Sequence, residues 1–253
     1  HQAGRQAVDP ARVEAGLGAL VLLVAFGVFG RRFGDEAERV RRQYALDGHT
    51  RANLLDALGQ VCQRIDLFDE AEALLREALA IRAETFGVQS LEYALSLRSL
   101  GQLAYSRGDY ARAAESLRAA LELNRSSEPG THSDVASLAN DLAACLRNLG
   151  AGAEAERLHA EALALRRAAA DGTLPVAESL NNQAGMLLDH GEFERATQTL
   201  QEALDIRGAI LGPQHPLTLQ TISNLAAARW QHGERDEAIA LTQQAERGYR
   251  ELH

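Results

Sequence analysis

The side chains in this sequence that could do chemistry are amides and guanidiniums rather than nucleophiles or metal ligands. Asn53, Gln60 and Arg64 form one group, Arg98, Gln102 and Tyr105 a second, and Asn140 with Arg147 a third. Asn181 and Asn182 follow, and Asn224 with Trp230 closes the series. An amide carries both a donor and an acceptor, so a row of amides matches successive peptide units whatever side chains those units bear. Arginine adds a fixed cation for a carboxylate. This is chemistry for gripping an extended polypeptide, not for turning over a substrate.

Reactive constellations are missing. No HExxH, CxxC, GxSxG or phosphate-loop pattern occurs. All 26 basic residues are Arg, which removes Schiff-base and phosphate-cradling lysine chemistry. The expectation is therefore no catalytic residue, no cofactor and no metal site. His190 and His232 stand at equivalent positions and read as residues closing a helix near its negative end. Cys62 and Cys145 fit no disulfide or zinc spacing and read as small buried hydrophobes. The net charge is −9, and residues 49–253 hold 19 Arg against 29 acidic residues. That sign argues against a nucleic acid partner.

The elements that would set these amides in a row are repeats. Asp66, Gly108, Gly150, Gly191 and Gly233 recur at intervals of 42, 42, 41 and 42 residues. Seven residues before them stand Gly59, Gly101, Ala143, Ala184 and Ala226. Five after them stand Ala71, Ala113, Ala155, Ala196 and Ala238, and twelve after them Ala78, Ala120, Ala162, Ala203 and Ala245. Small residues in fixed register suit two helices that approach closely across a short turn. Leu58, Leu100, Leu142 and Leu225 surround these points on the first helices, and Leu75, Leu117 and Leu200 on the second, at helical periodicity. Composition agrees: hydrophobic residues are 46% and aromatics 5%, a core of Leu and Ala, both strong helix formers. The expected fold is all-α, a right-handed α-α superhelix of about five helix–turn–helix repeats, with the first helices lining its concave side. The solenoid would span residues 49–253, with repeats near 50–91, 92–133, 134–175, 176–216 and 217–252.

LGQLAYSRGDYARAAESLRAALEL (Leu100–Leu123) and NLAAARWQHGERDEAIALTQQA (Asn224–Ala245) resemble the tetratricopeptide repeat. The longer unit, with LGPQHPLTLQTISNLA (Leu211–Ala226), is similar to the kinesin-light-chain-like subclass. The resemblance implies a protein or peptide partner in the concave groove, and Asn182 and Asn224 match the family's N-x-A or N-L-A pattern. Asp66 stands where the family has Gly, Gly152 where it has an aromatic residue, and Gln183 where it has a core Leu. The run Thr50–Gly87 also resembles the repeat region of bacterial transmembrane serine/threonine kinases. That likeness implies a regulatory repeat domain whose catalytic domain lies outside this chain.

Ala15–Gly30 is sixteen residues without a polar side chain, followed by Arg31 and Arg32. Residues 15–32 read as a membrane anchor or as a helix folded against the end of the solenoid; a third reading, a signal-peptide core, is disfavoured because no A-x-A-like cleavage site follows. Residues 1–14 read as a flexible N-terminal segment, and residues 33–48 as an amphipathic capping or linker helix. Its Phe33, Ala37, Val40 and Tyr44 would face Leu54 and Leu58. If residues 15–30 contact a membrane, the Arg flank would place the repeats in the cytoplasm and the kinase likeness would place them outside. The chain opens on His1 rather than Met, which predicts a piece of a longer protein. The expected function is an interaction scaffold in a signalling protein, holding an extended peptide or partner protein. The groove is expected to be more positive over the first three repeats, through Arg64, Arg98 and Arg147, than over the fourth.

Overall fold

The computed structural model describes residues 48–127, 132–170 and 172–252. The described residues form ten helices and no strand. The chain divides into two compact units, His1–Arg107 and Gly108–His253. In the first, α1 (Gly48–Arg64), α2 (Phe68–Phe86) and α3 (Leu91–Ser106) pack together, α2 against both others and α1 against α3.

The second unit holds α4 (Tyr110–Ser126), α5 (His132–Asn148), α6 (Gly152–Ala169), α7 (Leu174–Asp189), α8 (Phe193–Leu211), α9 (Pro216–His232) and α10 (Arg235–Glu251). Each packs on the next, and α5 also touches α7, as α7 touches α9. Within this unit the first helices α5, α7 and α9 therefore lie side by side.

All fifteen small positions of the repeat register are buried, so the register is a packing register. At Gly59 an added Cβ would stand 2.7 Å from Leu75 Cγ, closer than real Cβ atoms come, so the Leu75 side chain of α2 packs directly on the α1 backbone there. The turn residue itself is small for a different reason. Gly150, Gly191 and Gly233 have φ of 77°, 74° and 96°, and Asp66 adopts the same left-handed conformation at 60°. In each of these turns the following residue donates its N–H back to the helix: Leu67 to Cys62 at 2.9 Å, Ala151 to Leu146 at 2.9 Å, Glu192 to Leu187 at 2.8 Å and Glu234 to Arg229 at 2.9 Å. A left-handed residue and this backward bond together end an α-helix and satisfy its last carbonyls.

Cores of Leu and Ala fill the space between helix pairs. Leu75, Leu117 and Leu200 hold one repeat position and are almost fully buried; in the third repeat His159 takes that place and is nearly as buried. Cys62 and Cys145 are unpaired and buried. Burial pushes both thiols up, Cys145 to about 11, where they are inert as nucleophiles. Among the described residues no helix is long and apolar enough to cross a membrane. The readings of residues 1–14 as a flexible segment and of 15–32 as an apolar helix or anchor lie outside the described residues, as does the 33–48 capping helix except for Gly48, which opens α1.

Candidate functional site

In the first unit, α1 presents Asn53, Gln60 and Arg64, and α3 presents Arg98, Gln102 and Tyr105. Asn53 Oδ1 accepts from Arg82 Nη2 at 2.9 Å, and Gln60 Nε2 donates to Asp56 Oδ2 at 3.0 Å. The Gln102 carbonyl accepts from Gln63 Nε2 at 3.3 Å, which ties α3 to α1. Arg64 and Tyr105 are exposed, while Arg98 and Gln102 are half-buried.

The second unit has a cleft of about 730 Å³, lined from α5, α7, α8 and α9. It brings together four of the residues singled out above: Arg147, Asn181, Asn182 and Asn224. Asn181 Nδ2 donates to the Ala177 carbonyl at 3.1 Å and to Thr221 Oγ1 at 3.3 Å, and its Oδ1 accepts from Asn224 Nδ2 at 3.2 Å. Asn182 is half-buried, lines the cleft and makes no side-chain hydrogen bond among the described residues. Arg147 lies over Gly185, where an added Cβ would stand 3.1 Å from its Nη1. Its Nε donates to Asp189 Oδ2 at 2.6 Å, so its charge is largely compensated.

Asn140 is not part of this surface. It is 3% exposed. Its Nδ2 donates to Ser179 Oγ at 3.1 Å, and its Oδ1 meets His159 Nδ1 at 2.8 Å. The reason lies in the repeat: His159 replaces the core Leu and needs a polar partner, which the neighbouring helix supplies. Burial first, then Arg147 and Arg166, holds the His159 imidazole down at about 4, so it is neutral near pH 7. Trp230 also stands apart. It is 50% exposed and lines a separate cleft of about 560 Å³ between α9 and α10, with Ile239 and Tyr249. The Arg235 guanidinium lies 5.4 Å from its ring centre.

Three buried arginines are absent from the residues picked out above. Arg82, Arg166 and Arg207 are 3%, 8% and 6% exposed. Each donates from Nη1 to a hydroxyl on the next first helix: Ser96 at 2.6 Å, Ser179 at 2.8 Å and Thr221 at 2.7 Å. They bolt one repeat to the next through polar contacts. The signal was present as ALAIR, ALALR and ALDIR, ending at these three residues. An Arg four residues after a buried Ala faces inward on a helix.

The two histidines read as helix-closing residues behave so. His190 caps α7 and His232 ends α9, and their Nδ1 atoms lie 2.8 Å from Glu156 and 3.0 Å from Glu234. Among the described residues no group of three or more His, Cys, Asp or Glu could hold a metal.

An all-helical chain of packed helix pairs, with a polar cleft lined from α5, α7, α8 and α9 in its second unit, has the architecture of a helical-repeat protein. The tetratricopeptide repeat matches residues 36–126, 134–208 and 175–251, and the chain belongs to that family. Solved structures agree. BtubC (BKLC) from P. vanneervenii is 25% identical, with a TM-score of 0.73 over 96% of this chain and 93% of that one. The Podosopora anserina putative kinesin light chain with nearly identical TPR-like repeats is 21% identical, with a TM-score of 0.67 over 81% of this chain and 98% of that one. RapI in its apo form is 16% identical, with a TM-score of 0.66 over 85% of this chain and 58% of that one. The last two likenesses concern the fold alone. No curated protein matches the chain.

Proposed function

We propose that this chain is a protein-interaction module whose second unit holds an extended segment of a partner protein in the cleft between α7 and α9. The observation that carries the reading is Asn182. A half-buried amide that lines a cleft and has no partner among the described residues leaves a donor and an acceptor poised for an incoming peptide unit. Asn224 and Asn181, already bonded to each other, extend the amide surface beside it. The tetratricopeptide family membership supports the same reading.

A narrower version makes the partner a kinase catalytic domain on the same polypeptide, or places the repeats in a membrane-tethered signalling protein. It rests on the likeness of Thr50–Gly87 to kinase-associated repeats and on the apolar run 15–30. The partner would then bind in cis.

The test is calorimetric titration of partners recovered by pull-down. Asn182→Ala combined with Asn224→Ala should weaken binding roughly 10-fold or more, at about 1 kcal/mol net for each hydrogen bond, with the helical content unchanged. Unaltered affinity would remove the cleft as the binding site.

A further inference from the structure

Arg82, Arg166 and Arg207 hold one repeat position, sixteen residues after the turn, but their surroundings differ in charge. Arg82 Nη1 faces Asp56 Oδ1 at 3.6 Å, and Arg166 Nη1 faces Glu178 Oε2 at 3.2 Å. Asp56 belongs to the first helix of Arg82's own repeat, and Glu178 to the first helix of the repeat after Arg166. The residues at those two repeat positions around Arg207 are Asn181 and Gln220, both neutral amides. No carboxylate among the described residues forms an ion pair with Arg207.

Its hydrogen bonds are also incomplete. Nη1 donates to the Leu217 carbonyl at 2.9 Å and to Thr221 Oγ1 at 2.7 Å. Nε and Nη2 have no partner among the described residues. In Arg82 and Arg166 the Nη2 is used, on Asn53 at 2.9 Å and Ser137 at 3.4 Å. Arg207 is nonetheless 6% exposed, and it lines the cleft together with Asn181 and Gln220. A buried cation without a direct counter-ion is costly. Burial pushes its pKa down, and the more distant Glu178 carboxylate, already engaged by Arg166, offsets this only in part. The open Nε–Nη2 edge is the fork that accepts a carboxylate in two parallel bonds.

We infer that Arg207, flanked by Asn181 and Gln220, is an anion subsite of the cleft, and that its ligand is the carboxylate of an Asp or Glu side chain in the bound segment. The inference rests on the reading of the cleft as a segment-binding site. A singly charged carboxylate fits better than a dianion. The other cation of the cleft, Arg147, is already paired with Asp189, and Glu178 stands at the same cleft.

The experiment presents the immobilised folded chain with a degenerate pool of N-acetylated, C-amidated nonapeptides and sequences those retained. The expected result is enrichment of Asp or Glu at one position, with capture reduced roughly 5-fold on Asn182→Ala. Gln220→Glu then supplies Arg207 with the internal carboxylate that Glu178 supplies to Arg166. It should weaken the best acidic peptide roughly 10- to 100-fold, the range of a charge-assisted bond, and leave the matching Asn or Gln peptide unaffected. Arg207→Gln should do the same, and Gln220→Glu carries the test if that variant misfolds. Asn182-dependent capture without acidic enrichment, or enrichment that survives Gln220→Glu, overturns the anion subsite and leaves the cleft reading standing. Enrichment only in a parallel pool with free C-termini overturns the side-chain carboxylate in favour of a terminal one. Absence of any Asn182-dependent capture takes the cleft reading down as well.

Discussion

His159 Nδ1 and Asn140 Oδ1 meet at 2.8 Å, with both residues 3% exposed, and Asn140 passes the contact on to Ser179. A histidine therefore sits in a leucine's place in the core, neutral and polar-bonded.

This arrangement predicts acid lability. The imidazole is held at about 4 in the folded chain, against about 6.5 when unfolded. Between those values the unfolded state binds more protons, so stability falls as pH falls. The contribution is complete above about pH 6.5 and is lost as pH drops through about 4, on the order of 3 kcal/mol in total. Urea midpoints measured from pH 7 to about pH 4.5, just above the folded-state value, should fall more steeply for the wild type than for His159→Leu. Parallel slopes would mean that His159 is solvated.

Asn140 and Asn182 predict opposite phenotypes. Asn140→Ala strands the buried His159 and should cost about 1–3 kcal/mol, seen as a lower urea midpoint. Asn182→Ala removes an amide with no partner among the described residues and should change stability by no more than about 0.5 kcal/mol.

Asp66→Gly should stabilise. Asp66 is the one non-glycine residue with positive φ among the described residues, and a Cβ in that conformation costs on the order of 1 kcal/mol. Denaturation curves of the two proteins should differ by about that amount, with the glycine variant the more stable. The reverse change at a neighbouring turn, Gly150→Ala, should destabilise by a similar amount.

Ala196→Leu should destabilise by about 1–3 kcal/mol through overpacking. Ala196 is fully buried in one cluster with Ala184, Leu187 and Leu225, where α7 meets α8. Ala113→Leu, equivalent in register and equally buried, should behave alike in thermal or urea unfolding.

Much of this was legible in the sequence. Ala71 to Ala245 in fixed register identified helix pairs because close approach of two helices depends on side-chain size, which is a local property. Asp66 and the turn glycines marked where each pair folds back. The buried Arg82, Arg166 and Arg207 were harder to see, because an arginine on a polar second helix looks solvated until the hydroxyl of the next repeat is placed beside it.

The helical class, the repeat spacing and the family follow from the order of residues alone, since a periodicity of about 3.6 residues and a spacing of 42 need no knowledge of what packs on what. Which amides meet solvent does not follow from it. Asn140 and Asn181 hold the same repeat position. One is buried on His159, while the other joins Asn224 on the wall of a cleft. The difference comes from what the packed helix presents at that depth: a histidine that demands a polar partner in the third repeat, and Leu200, which offers none, in the fourth. Burial of a polar group depends on its partner, and the partner is known only once the helices are in contact.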